Sequence, residues 1–146
     1  RQIEVDPLLR YFQVNSISAI LLAKHLMPLL NHDRPNIFAT LSAKIGSIGD
    51  NRLGGWYGYR ASKAALNMFL KTASIEYGRR SPQTAIVMLH PGTTDTQLSA
   101  PFQRSVPSGK LFPVGRTVSQ LVAVLEAVTP QNTGSFYSWD GSLLPW

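Results

Sequence analysis

The stretch from Thr84 to His90 constrains this chain more than any other. Ile86, Val87, Met88 and Leu89 are consecutive apolar residues, and side chains alternate across a strand, so a strand here is apolar on both faces. Such a strand must be covered on both faces, which parallel sheets packed between helices achieve. Pro91-Gly92 then ends the run sharply.

The flanking sequence supplies the covering elements. Asp6-Pro7 reads as an N-cap and first helical residue, and apolar residues at Leu8, Phe12, Ile17, Ile20, Leu21, Leu26 and Leu30 predict a long helix over about 7–31. After a turn ending at Pro35, Asn36 to Ser42 reads as a short buried strand, and Ala43 to Gly55 as a glycine-containing loop. A second long helix is expected from Trp56 to Gly78, with Leu66, Phe69 and Ala73 on its apolar side and Gly78 as C-cap. Residues 93–114 read as a long irregular stretch, the kind that carries function in a compact domain. A helix over Arg116 to Val128 and a strand over Ser135 to Trp139 complete the order. Helices alternating with buried strands predict an α/β doubly wound parallel sheet. Three strands are few for that class, so the expectation is that flanking strands are absent.

Composition narrows the function classes. The 146 residues suit one domain, and the lack of cysteine removes disulfides, thiolate zinc sites and cysteine nucleophiles together. Ile17 to Leu30 is interrupted by Lys24, His25 and Pro28 and falls short of the roughly 18 apolar residues of a membrane span. The opening residues are polar, unlike a signal peptide, so the expected place is the cytoplasm. Fourteen Lys and Arg against eight Asp and Glu give +6, but the only adjacent basic pair is Arg79-Arg80, at a predicted helix end. Nucleic acid is therefore not the expected partner. His25, His32 and His90 share no metal-ligand spacing, and strand-end or surface roles are expected of them.

The chemistry concentrates at Tyr59-Arg60-Ala61-Ser62-Lys63. Tyr59 and Lys63 are four apart and share one helix face, where an ammonium beside a phenol favours the phenolate and lowers a pKa of about 10. On spacing alone, a solvated helix surface carries such a pair equally well.

The context of the pair resembles the short-chain dehydrogenase/reductase family. Tyr57-Gly58-Tyr59-Arg60-Ala61-Ser62-Lys63-Ala64-Ala65-Leu66 is similar to its active-site helix, Phe12-Gln13-Val14-Asn15 to its asparagine motif, and Pro91-Gly92-Thr93-Thr94-Asp95-Thr96 to its Pro-Gly-x-x-x-Thr segment after a strand. Gly46-Ser47-Ile48-Gly49, Gly54-Gly55-Trp56, His90-Pro91-Gly92 and the ending from Trp139 to Trp146 resemble the C-factor and sniffer-like carbonyl reductase branch.

The resemblance implies a Rossmann-type fold of which residues 1–146 are the catalytic C-terminal part of a single domain. It implies hydride transfer between NAD or NADP and a small-molecule carbonyl or alcohol. Tyr59 would be the general acid or base, and Lys63 would lower its pKa and hold the nicotinamide ribose. Asn15 would hold a water leading from Lys63 to solvent, and Pro91, Gly92, Thr94 and Thr96 would face the nicotinamide. A homodimer through the two long helices is also implied, and the aromatics Trp56, Phe102, Phe112 and Trp146 are read either as a substrate lining or as packing.

Two departures stand out. The position of the serine that holds the carbonyl is Ala43, so Ser42 is taken first and Ser47 second for that role. No glycine-rich strand-to-helix turn for a pyrophosphate occurs, so a cofactor half is expected before Arg1 and little activity from these residues alone. The alternative is a dinucleotide-binding signalling or interaction protein of the C-factor type that does not depend on catalysis.

Overall fold

The computed structural model describes residues 3–146; Arg1, before which the sequence predicts a cofactor half, lies outside them. Strands β1 (Asn36–Leu41), β2 (Thr84–His90) and β5 (Ser135–Ser138) form a parallel sheet in the order β1-β2-β5. Asn36 pairs with Thr84 at the start of the first ladder, and His90 with Ser138 at the end of the second.

The central strand behaves as its sequence demands. On one face, Ile86 and Met88 join Phe38 and Phe136 beneath α2 (Ser18–Leu30) and α3 (Tyr57–Arg80), packed against Ala23, Leu66 and Leu70. On the other, Val87 and Leu89 pack against Val124 of α4 (Val114–Glu126). All four of these apolar residues of β2 are buried, each contributing about 1.5–3 kcal/mol relative to exposure. The α/β class, with helices on both faces of a parallel sheet, is thereby established.

β1 corrects the expectation of a buried strand. Phe38 is buried, but Ile37 and Leu41 on the opposite face are 38% and 58% exposed, because no described helix covers that face at this edge of the sheet.

The first long helix is not continuous either. α1 (Val5–Phe12) passes into one π-turn at Gln13–Ile17 before α2 begins. α1 also starts before the predicted Asp6-Pro7 cap, with Glu4 at the N-cap. α3 outruns Gly78 to end at Arg80 with Ser81 as its C-cap, and α4 starts two residues early because extended Pro113 serves as its N-cap.

The stretch 93–114 is more ordered than predicted. β3 (Thr93–Thr94) pairs in parallel with β4 (Leu111–Phe112), and Ala100–Ser105 forms a 3-10 helix between them. Among the described residues, no helix is long and apolar enough to cross a membrane.

Candidate active site

The site is assembled where α1, the start of α3 and the C-terminal ends of β1 and β2 meet. α3 is started by a left-handed residue, Trp56 (φ 48°, ψ 41°), an uncommon conformation for a bulky side chain and one that concentrates at functional sites. Arg60 secures this turn. Its guanidinium donates to the carbonyls of Gly55 (3.1 Å), Gly54 (3.2 Å) and Ile45 (3.2 Å), and lies 5.9 Å from the Trp56 ring centre.

Tyr59 and Lys63 follow on one face of α3. Lys63 Nζ lies 6.0 Å from the centre of the Tyr59 ring and donates to the Leu41 carbonyl (2.9 Å) at the end of β1. The approach of the two elements is close: a Cβ on Gly46 would lie 2.7 Å from Lys63 Cβ and 2.8 Å from its carbonyl carbon, so the turn Lys44–Gly46 tolerates no side chain there.

The electrostatics correct one expectation. Burial pushes the Tyr59 phenol above its ordinary value, and Tyr11 adds to the rise. Burial lowers the Lys63 ammonium. The predicted lowering of the phenol does not occur, because desolvation of Tyr59 outweighs an ammonium directed to a backbone carbonyl. Tyr59 is therefore held as the protonated phenol.

Asn15 sits in the π-turn between α1 and α2, where its Nδ2 donates to Ser62 Oγ (3.0 Å). Ser62 Oγ donates in turn to the Tyr59 carbonyl (2.9 Å), and Ser16 Oγ donates to the Ser62 carbonyl (2.8 Å). Both serines are fully buried. They tie the asparagine turn to the active-site helix, a role their positions in the sequence did not disclose; the only signal was a serine immediately before Lys63.

The serine candidates are placed elsewhere. Ser42 is 3% exposed, and its Oγ donates to Asn67 Oδ1 (2.6 Å), eight residues beyond Tyr59 on α3 and so about 12 Å further along it. In this geometry the Ser42 hydroxyl, expected as the carbonyl-holding group, is bonded into the core beneath α3. Ser47, 2% exposed, accepts a hydrogen bond from the Asp50 amide (3.1 Å). Ala43 continues the extended backbone (φ −154°, ψ 143°), so its methyl points to the side opposite Ser42.

At the end of β2, burial pushes the His90 imidazole down to about 4; Lys44 adds to this, and Asp140 and Asp50 oppose it. His90 Nδ1 is buried without a hydrogen-bond partner. Gly92 then adopts φ +75°, with a Cβ there falling 2.6 Å from the Phe112 ring. Thr94 Oγ1 and Thr117 Oγ1 share a hydrogen bond (2.9 Å), whereas Thr96 is exposed, its amide donating to Ser99 Oγ (3.2 Å).

The aromatic residues divide. Phe112 packs edge-on against Trp139 (4.9 Å between centres), and Trp146 stacks on Phe136 (5.6 Å). Trp56 and Phe102 are 43% and 51% exposed and meet edge to face at 6.5 Å, joining the 3-10 helix to the start of α3. A groove of about 470 Å³ lies beside them, walled by Pro7, Leu8, Tyr11, Trp56, Tyr57 and Tyr59.

The chain is similar to known proteins. A family model described as short chain dehydrogenase matches residues 2–106. The chain is 28% identical over 137 residues to the C-signal of Myxococcus xanthus, covering 94% of this chain and 77% of that one. It superposes on the carbonyl reductase Sniffer of D. melanogaster with a TM-score of 0.85 at 28% identity, and on an NADPH-bound carbonyl reductase from chicken fatty liver with a TM-score of 0.86 at 25% identity. In both, 99% of this chain is covered, and it spans 59% of the solved chain. Other curated relatives are spanned over 56% and 61% of their length.

Proposed function

The chain belongs to the short-chain dehydrogenase family, and from that premise we propose that it is the catalytic part of an oxidoreductase moving hydride between NAD or NADP and a small-molecule carbonyl or alcohol. The observation that carries the reading is the half-buried arrangement of Tyr59 and Lys63 on one face of α3, with the Tyr59 turn locked to Asn15 through Ser62.

The nicotinamide end of a dinucleotide fits the residues present. Gly92 turns the backbone sharply at the end of β2 (φ +75°) with the Phe112 ring packed where a side chain would stand, and the exposed Thr96 hydroxyl suits a carboxamide. Lys63 has three ammonium protons and uses one on Leu41, leaving two for ribose hydroxyls. Thr94, its hydroxyl bonded to that of Thr117, serves by holding the loop rather than by touching the nicotinamide. The pyrophosphate end does not fit these residues, since no glycine-rich strand-to-helix turn occurs among them. The reading therefore holds that the 146 residues alone turn over little, and tight NADPH binding by this stretch in isolation overturns that part of it.

When bound, the dinucleotide supplies or accepts the hydride. Tyr59 gives its phenolic proton to the carbonyl oxygen as negative charge develops there, and its raised pKa keeps the phenol in the protonated form from which it donates. Lys63 holds the sugar and places positive charge beside the reacting phenol. Asn15, fixed on Ser62, orients the face from which a proton returns to Tyr59. Joined to a dinucleotide-binding half, Tyr59→Phe is expected to lower turnover by roughly 10²–10⁴-fold while leaving dinucleotide binding intact. Unchanged turnover removes the assignment.

One observation favours a second reading. Ala43 offers no hydroxyl to a carbonyl, and a relative named C-signal aligns over 94% of the chain. A dinucleotide-bound protein that acts on a partner without catalysis is consistent with both. Partner activity that survives Tyr59→Phe, with no turnover across a broad carbonyl panel, selects it.

A further inference from the structure

α1 and α3 approach so closely at one point that only glycine fits. A Cβ on Gly58 would lie 2.7 Å from Cδ2 of Tyr11 and 2.9 Å from Cδ2 of Leu8. The first turn of the active-site helix is thus the seat on which the Tyr11 ring rests. The next residue is Tyr59, whose ring centre lies 6.2 Å from that of Tyr11 at a 47° tilt, within the range of favourable aromatic pairs. Both side chains wall the same groove, beside Trp56.

The general-acid role also leaves a need unmet. An oxygen that gains charge is stabilised by donors aimed at it, and here Ala43 has none while Ser42 and Ser47 are engaged elsewhere. The reaction then relies more heavily on the orientation of a single phenol.

We propose that Tyr11 is a positioning residue for Tyr59: seated on Gly58, its ring fixes the plane of the Tyr59 ring, and its phenol borders the groove in which the proton is transferred. The proposal rests on the reading of Tyr59 as the proton-handling group. The Tyr11 phenol this close disfavours negative charge on Tyr59, in accord with its contribution to the raised pKa of Tyr59. The other groups facing Tyr59 are Lys63 from α3, which lies over its ring, and Glu4 and Tyr57 along the groove.

The test uses carbon-13-labelled tyrosine followed by NMR across pH, with Tyr59→Phe to assign the Tyr59 signal. Tyr11→Phe keeps the ring on Gly58 and removes only the phenol. It is expected to lower the midpoint of Tyr59 ionisation by about half a pH unit, the size of a charge effect at this separation in a partly solvated site. In the protein joined to a dinucleotide-binding half, the basic limb of the kcat/KM profile moves with it. Tyr11→Leu removes the ring, and is expected to reduce kcat several-fold with KM little changed, Tyr11→Phe restoring it. An unmoved Tyr59 midpoint in Tyr11→Phe, or a kcat in Tyr11→Leu equal to that of the parent, overturns the proposal. The titration reads the contact between the two tyrosines whether or not turnover is found, so its outcome is separate from that of Tyr59→Phe.

Discussion

The two walls of the site are furnished very differently. On the helix side, Asn15, Ser16, Ser62 and Lys63 each hold a hydrogen bond, and every one of those bonds ties α3 to the π-turn, to β1 or to its own first turn. On the strand side, the end of β1 carries a methyl at Ala43 and a hydroxyl turned into the core at Ser42, while the end of β2 carries an imidazole whose Nδ1 has no partner. On the proposed function, the groups that would hold and move a proton are thus kept under tight geometric control, and those that would grip a carbonyl are few. A site built this way asks much of the orientation of Tyr59 and little of the strand ends.

The largest expected effect on the strand side belongs to His90. Its folded-state pKa of about 4 lies below the ordinary 6.5, so the folded protein keeps the imidazole neutral while the unfolded chain takes up a proton. The stability this contributes is fully present above pH 6.5, declines as the pH falls from 6.5 towards 4, and is gone below that. The difference corresponds to roughly 3 kcal/mol. His90→Phe removes the titrating group and should flatten that decline in denaturant unfolding measured at pH 7 and pH 4. An acid decline of the same size in the variant would show that the imidazole is not its source and that the strand side is better satisfied than its geometry indicates.

Much of this contrast could be read from the sequence on the helix side and little of it on the strand side, for physical reasons. Ile86 to Leu89 announced β2 because a two-faced apolar run has few other uses, and the Tyr59–Lys63 pair was legible because helical period converts spacing directly into a shared face. The π-turn at Gln13–Ile17 left no trace, since it changes backbone pairing by one residue without changing the apolar pattern. The destination of Lys63 was equally hidden: the ammonium reaches a backbone carbonyl, and carbonyls carry no sequence signal. At the strand ends, the alternation of side chains showed that Ser42 and Ala43 face opposite ways, but which of them faces the core depends on Asn67, a contact across 25 residues. The exposed face of β1 belongs to the same class, because the run from Ile37 to Leu41 is apolar enough to be buried and only the absence of a covering helix among the described residues leaves it open.

The adjacent residues at the end of β1 allow the sharpest separation of structure from chemistry. Ser42→Ala deletes the donor to Asn67 Oδ1, and Asn67 Nδ2 is already buried without a partner, so the variant leaves a whole amide unsatisfied. A loss of about 2 kcal/mol in unfolding free energy is expected, with turnover changed by less than about twofold, because the hydroxyl does not face the reacting groups. Ala43→Ser does the reverse. It adds a hydroxyl on the opposite side of the same extended backbone, and gains a donor for the developing oxyanion. An oxyanion donor removed from a complete site costs 10²–10³-fold; one added to a site that already relies on Tyr59 should return less, about tenfold in kcat, or about 1.4 kcal/mol. If Ser42→Ala instead abolished turnover while Ala43→Ser left it unchanged, Ser42 would be the group that grips the carbonyl, and the strand side would be as well furnished as the helix side.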